Sequence, residues 1–141
     1  RQALADHGIP HDPALEVECY LSRKTGGDAA RELLSLGQMP TALYCSNDMI
    51  ALSAIEALRR FNIHVGKDIA VIGSDDMPLA AYVDPGLTTF RQDLDGMGMR
   101  MGQMMLSMLS GIAEPQQQKV KAELIVRGTD MPYSRKNGDE A

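Results

Sequence analysis

Two apolar runs, each closed by a cluster of small polar residues, are the clearest pattern in the chain. Residues 41–45 (Thr-Ala-Leu-Tyr-Cys) lead into Ser46-Asn47-Asp48, and residues 69–73 (Ile-Ala-Val-Ile-Gly) lead into Ser74-Asp75-Asp76. Short apolar runs of this kind read as strands of a buried parallel sheet. Between them, Ile50, Ala51, Ala54, Ile55, Leu58 and Phe61 recur at spacings of three and four, which predicts a helix over 49–61. The unit is strand, helix, strand. A right-handed crossover brings both polar clusters to one edge of the sheet, where open α/β proteins bind small molecules.

The flanking sequence extends this alternation. Residues 1–7 read as a helix with Leu4 on its apolar face and Gly8 as the stop, followed by a proline-rich connector over 9–13. Leu15, Val17, Cys19 and Leu21 alternate, predicting a strand over 14–21. Gly26 and Gly27 precede an amphipathic helix over 28–36 that Gly37 closes. Residues 77–83 suit a short helix or loop opened by Pro78, and Asp84-Pro85-Gly86 break it. A strand over 87–92 and a long helix over 93–109 come next, the helix opening on an acidic residue that its dipole favours. Six of the ten methionines fall in that helix, and their helical spacing favours core packing over an adaptable binding surface. A linker over 112–119, a strand over 120–126 and a polar tail over 130–141 complete the chain. The pattern predicts an α/β fold, a Rossmann-like parallel sheet with flanking helices.

Composition narrows the function. The chain has 141 residues, enough for one core, and its formal charge of −5 with no basic cluster argues against gripping a phosphate backbone directly. No apolar run reaches the length of a membrane span and no signal peptide opens the sequence, so a soluble, cytoplasmic protein is expected. Cys19 and Cys45 lie in apolar runs without metal-ligand spacing and read as buried free thiols. Asp48, Asp75, Asp76 and Asp93 lack the neighbouring lysine or glycine-rich loop that a Mg²⁺-phosphoryl site needs. There is no G-x-S-x-G elbow; His7, His11 and His64 sit in polar connectors, and Gly96-x-Gly98 lies inside a helix. No catalytic group, metal or cofactor is therefore expected.

Two polar residues stand out at the strand ends. Asn47 can donate and accept at once, as a sugar hydroxyl does, although one of Ser46, Asn47 and Asp48 must also cap the following helix. The Asp75 carboxylate can accept two hydroxyl hydrogen bonds, the alternative being a local turn made with Asp76.

Taken in order and spacing, Pro40-Thr41-Ala42, Ser46-Asn47-Asp48, residues 66–73 (Gly-Lys-Asp-Ile-Ala-Val-Ile-Gly), Asp75-Asp76 and Pro85-Gly86-Leu87-Thr88-Thr89 closely resemble a known family. They resemble the C-terminal part of the effector-binding core of lactose/galactose-repressor-type transcription regulators. The resemblance implies a periplasmic-binding-protein-like architecture of two α/β subdomains around a cleft, here incomplete because the N-terminal part is missing. Residues 1–86 would belong to the C-terminal subdomain. Residues 87–111 would cross to supply a strand and helix of the N-terminal subdomain, 112–129 would form a linker and return strand, and 130–141 a polar tail. It also implies that Asn47 and Asp75 face the effector, with Gln92 reaching in from the opposite side. Leu21 would stand where the family often places an aromatic wall, which weakens ring stacking.

Leu52, Tyr82 and Val83 would lie at a homodimer interface. The implied function is sensing of a small polar effector, a sugar or sugar derivative, with DNA bound only through a helix-turn-helix domain absent from this chain. The alternative is a periplasmic-type sugar-binding protein of a transport system. The family's first strand of the C-terminal subdomain would precede Arg1, leaving 14–21 apart from its neighbours in the sheet. The chain alone is then expected to be marginal, to swap strands into a dimer, or to need the rest of a larger molecule.

Overall fold

A computed structural model describes residues 1–20, 23–37, 39–112 and 117–130. Its centre is a four-stranded sheet in the order β1 (Ala42–Tyr44), β2 (Ala70–Ser74), β3 (Thr88–Arg91) and β4 (Glu123–Ile125). The first three strands run parallel, with Leu43 beside Val71 and Gly73 beside Thr89. β4 runs antiparallel to β3, pairing Arg91 with Glu123, so the parallel sheet read from the sequence carries one antiparallel edge. Because β1, β2 and β3 share a direction, their carboxyl ends share one edge.

Helix α3 (Asp48–Arg60) connects β1 to β2, and its apolar stripe supplies much of the core. Ile50, Ala51, Ala54, Ile55 and Leu58 are buried with Ile69, Val71 and Leu87 in one cluster. Asn47 caps its N-terminus, and Arg59 and Arg60 occupy the last turn, where the helix dipole favours cations. Against α3 packs α2 (Arg23–Leu34), which starts five residues earlier than the glycine pair suggested. Gly26 and Gly27 are not breakers there. A Cβ at Gly26 would lie 2.4 Å from the Ile50 carbonyl oxygen, and the Gly27 amide donates to Ser53 Oγ at 2.9 Å. The helices touch backbone to backbone, which only glycine permits.

Two sequence expectations fail. The strand expected over 14–21 is absent from its described part: α1 (Gln2–Asp6) leads through a 3-10 turn at Pro13–Leu15 to an irregular stretch over 16–20. Asp12 holds that turn by accepting from the Ala14 amide at 2.9 Å. Val17 and Cys19 still face partly inward, but among the described residues the sheet ends at β1, which pairs with β2, and 16–20 does not join it; alternation without pairing makes no strand.

The core packing expected for the methionine stripe is also absent. In α4 (Leu94–Leu109) Gly96 is the buried residue, Met97 and Met104 are half-buried, and Leu94, Met101, Met105 and Leu109 stand exposed, the last at 78%. Periodicity shows that a helix face needs cover; it does not show that the cover lies in the same stretch of chain. Residues 113–116 of the expected linker, and the tail beyond Asp130, lie outside the described residues.

Replacing Gly26 with alanine should separate α2 from α3 and cost about 1–3 kcal/mol in urea unfolding. Gly98→Ala in α4, where a Cβ meets nothing within 4 Å, should instead be neutral or stabilise by up to about 1 kcal/mol. Equal effects at the two positions would refute the close contact.

Candidate functional site

The residues beyond the carboxyl ends of β1, β2 and β3 form one polar edge. Asn47 follows β1 and is half-buried; its Oδ1 accepts from the Ile50 amide at 2.8 Å, closing the first turn of α3. The amide nitrogen, a donor, takes no part in that cap. Gln92 follows β3 and is exposed before α4.

After β2 the chain makes a turn with two consecutive non-glycine residues at positive φ, Asp75 at 119° and Asp76 at 50°. Such conformations cost of order 1–3 kcal/mol each and persist only where surrounding bonds hold them. The bonds are present. The Asp75 amide donates to the Phe90 carbonyl at 2.8 Å, the Met77 amide to Asp48 Oδ2 at 2.8 Å, and the Asp76 amide weakly to Thr89 Oγ1 at 3.4 Å. Held this way, the Asp75 side chain is exposed at the edge. Its partial burial and the negative charge of Asp48 push its carboxyl up from the ordinary value.

Asp76 does different work. Its Oδ1 accepts from Arg127 Nη2 at 2.6 Å and its Oδ2 from Arg91 Nε at 2.7 Å. Burial pushes its carboxyl up, but the two guanidinium partners outweigh that and hold it below the ordinary value. One carboxylate thus joins the β2 turn, β3 and the segment after β4. That segment, 127–130, is a polar strap. The Arg127 amide donates to Thr88 Oγ1 at 2.8 Å, its Nη1 to the Leu87 carbonyl at 2.7 Å, and the Thr88 amide to Thr129 Oγ1 at 2.8 Å. Thr129 in turn accepts the Val71 amide at its carbonyl, 2.8 Å away.

Sequence reading missed the strap and the paired threonines Thr88 and Thr89, both fully buried. The available signal was two hydroxyls side by side in a strand, which cannot both face water if the strand is covered on both sides.

The expected residues therefore separate into groups. Asn47, Asp75 and Gln92 follow the ends of three successive strands, whereas Leu21 lies outside the described residues. Leu52 is buried in the chain's own core at 7% exposure, Val83 packs against that core, and Tyr82 is 84% exposed. Cys45 is buried and Cys19 half-buried, both as free thiols. Burial, with the nearby Cys19 and Asp48, pushes the Cys45 thiol up to about 12, so it is unreactive at neutral pH.

Among the described residues no cluster of His, Cys, Asp and Glu could hold a metal ion, and no helix is long and apolar enough to cross a membrane.

Polar groups gathered beyond the ends of adjacent parallel strands stand where open α/β sheets bind small molecules. More closely, the chain belongs to the periplasmic binding protein-like domain family, which matches residues 1–129. It is 42% identical over 114 residues to the HTH-type transcriptional regulator MalR of Streptomyces coelicolor, covering 80% of this chain and 33% of that protein. It is 33% identical over 129 residues to the HTH-type transcriptional repressor CytR of Escherichia coli, covering 91% of this chain and 38% of CytR.

Among solved structures, the transcriptional regulator CelR in complex with cellobiose superposes with a TM-score of 0.85 at 29% identity, over 92% of this chain and 40% of CelR. The Lac repressor dimer bound to operator and the anti-inducer ONPF gives 0.85 at 30%, over 93% of this chain and 45% of that one. The chain spans about a third of the length of the curated relatives it matches.

Acid should expose the Asp76 pairing. Because its folded value is depressed, its contribution is fully present above the ordinary aspartate value near pH 4 and is lost as the pH falls through the folded value. Urea midpoints measured from pH 7 downward should therefore fall more steeply below about pH 4 in the wild type than in Asp76→Asn. Parallel curves would mean that the ion pairs contribute nothing.

Proposed function

We propose that this chain is the effector-sensing, dimerising part of a transcription regulator. A sugar or sugar derivative binds at the polar edge, and a separate helix-turn-helix domain contacts DNA. The observation that carries this reading is Asp75, a carboxylate displayed on a strained turn at the end of β2, where no side-chain hydrogen bond or ion pair among the described residues engages it. Asn47 donates to the effector through its amide nitrogen, and Gln92 approaches from the crossing segment.

In this reading residues 1–86 and the return strand form the C-terminal subdomain, with β3 paired into the same sheet, and the crossing part of 87–111 that carries α4 belongs to the N-terminal one. The bare apolar face of α4 supports that assignment, since a second subdomain would cover it. The protein acts in the cytoplasm, where DNA is, and is not an enzyme. The transport-protein alternative is less well supported, because the relatives named above are transcription regulators. Binding between the two subdomains would bias their closure and so the placement of the DNA-binding heads.

For dimerisation, the fully presented Tyr82 is the contact, with Val83 beside it. Leu52, being core, would support that face from within.

Calorimetry on the intact protein with cellobiose, maltose, lactose and galactose tests the site. Asp75→Ala should weaken the sugar that binds by about 10- to 100-fold, the worth of a hydrogen bond to a charged group; unchanged affinity would remove Asp75. On acidification, binding should begin to fail at a higher pH than an ordinary aspartate would dictate, because the Asp75 carboxyl is raised. Tyr82→Asp should shift the sedimentation mass of the intact protein from dimer to monomer, and a retained dimer would clear Tyr82 of that role.

A further inference from the structure

We infer that Asp48 is the positioning residue of the effector site, a buried post that holds the Asp75 turn, the Asn47 end of α3 and strand β3 in one fixed relation. Its side chain has no exposed surface. Its two oxygens serve two different elements: Oδ1 accepts from Thr89 Oγ1 on β3 at 2.6 Å, and Oδ2 from the Met77 amide just past the turn at 2.8 Å. The carboxylate accepts from both at once: the Met77 amide can only donate, and the Thr89 hydroxyl, which could turn to accept, donates here. An asparagine could still accept from Met77 by turning its NH₂ to that hydroxyl, so only removal of the polar end of the side chain breaks both bonds.

Nor is Asp48 a cap, since Asn47 fills that role. Its place at the first helical position instead puts a negative charge where the helix dipole favours it.

The surrounding chain is shaped to admit this carboxylate. Gly73, the β2 residue facing it, has no room for a side chain: a Cβ there would stand 2.3 Å from Asp48 Oδ1. Closer approach by any other residue type would displace the post.

The sequence neighbour of Asp48 is Asn47, and the turn it grips contains Asp75. The strand it bonds runs through Thr89 to Gln92. The three groups assigned to the effector therefore keep their spacing through one side chain, and a pull on Asp75 reaches α3 and β3 together.

This inference rests on the effector site proposed above, so its test has one arm that uses no ligand. On the intact sugar-free protein, Asp48→Ala should speed hydrogen exchange of the Met77 amide by about tenfold or more, one lost hydrogen bond's worth. The Ile50 amide, which bonds Asn47, should keep its rate. Thr89→Val, which keeps the side-chain shape, should move Met77 in the same direction by less and serves if Asp48→Ala does not fold. Unchanged Met77 exchange overturns the inference whatever the sugars do.

The second arm is calorimetry with cellobiose, maltose, lactose and galactose. Asp48→Ala should weaken binding by about tenfold in the wild-type background and by less in the Asp75→Ala background, because part of its effect runs through Asp75. Fully additive losses overturn the positioning role. Affinities indifferent to Asp75→Ala, with Met77 exchange accelerated, overturn the effector site and leave the post itself standing.

Discussion

Polar groups buried at the carboxyl edge of the sheet have to be paired, and that obligation organises the rest of the molecule. Asp48, Thr88, Thr89 and Thr129 are all inaccessible to solvent. An unpaired hydroxyl or carboxylate in such a place costs several kcal/mol, and among the described residues no buried side-chain polar atom lacks a partner. Meeting that requirement draws elements far apart in sequence together. The start of α3 is tied to the turn after β2, and residues 127–130 are tied across β2 and β3. The apolar core beneath sets the layers, while these bonds set which loop lies against which.

The same pairing explains how two unfavourable backbone conformations survive side by side. Asp75 and Asp76 adopt positive φ because the amides and carboxylate of the turn are satisfied there by Asp48, Phe90, Arg91 and Arg127. One aspartate is consumed by structure and its neighbour is left displayed. Two adjacent residues of one type thus take opposite roles because of where their partners stand.

The strand-helix-strand unit over 41–74 was legible in the sequence because its apolar periods are long, and its neighbours in space are its neighbours in the chain. The polar edge was legible for the same reason, at Asn47 and Asp75. What escaped depends on distant partners. Residues 14–20 alternate as a strand does, but pairing, not alternation, makes a strand. The α4 methionines have core spacing, yet nothing described in the chain covers them. Gly26 and Gly27 read as punctuation because the backbone of α3, twenty-four residues on at Ile50, is what calls for them. Arg127 and Thr129 showed no local signal at all, since their work is done thirty-nine or more residues away.

β4 returns antiparallel beside β3, with Glu123 opposite Arg91 and their side chains 3.7 Å apart. The chain therefore departs for α4 and re-enters the sheet at two strands that lie side by side. Both passages between that helix and the sheet are anchored at one place, so a load on α4 is delivered to the sheet at a single point along its edge rather than spread across it.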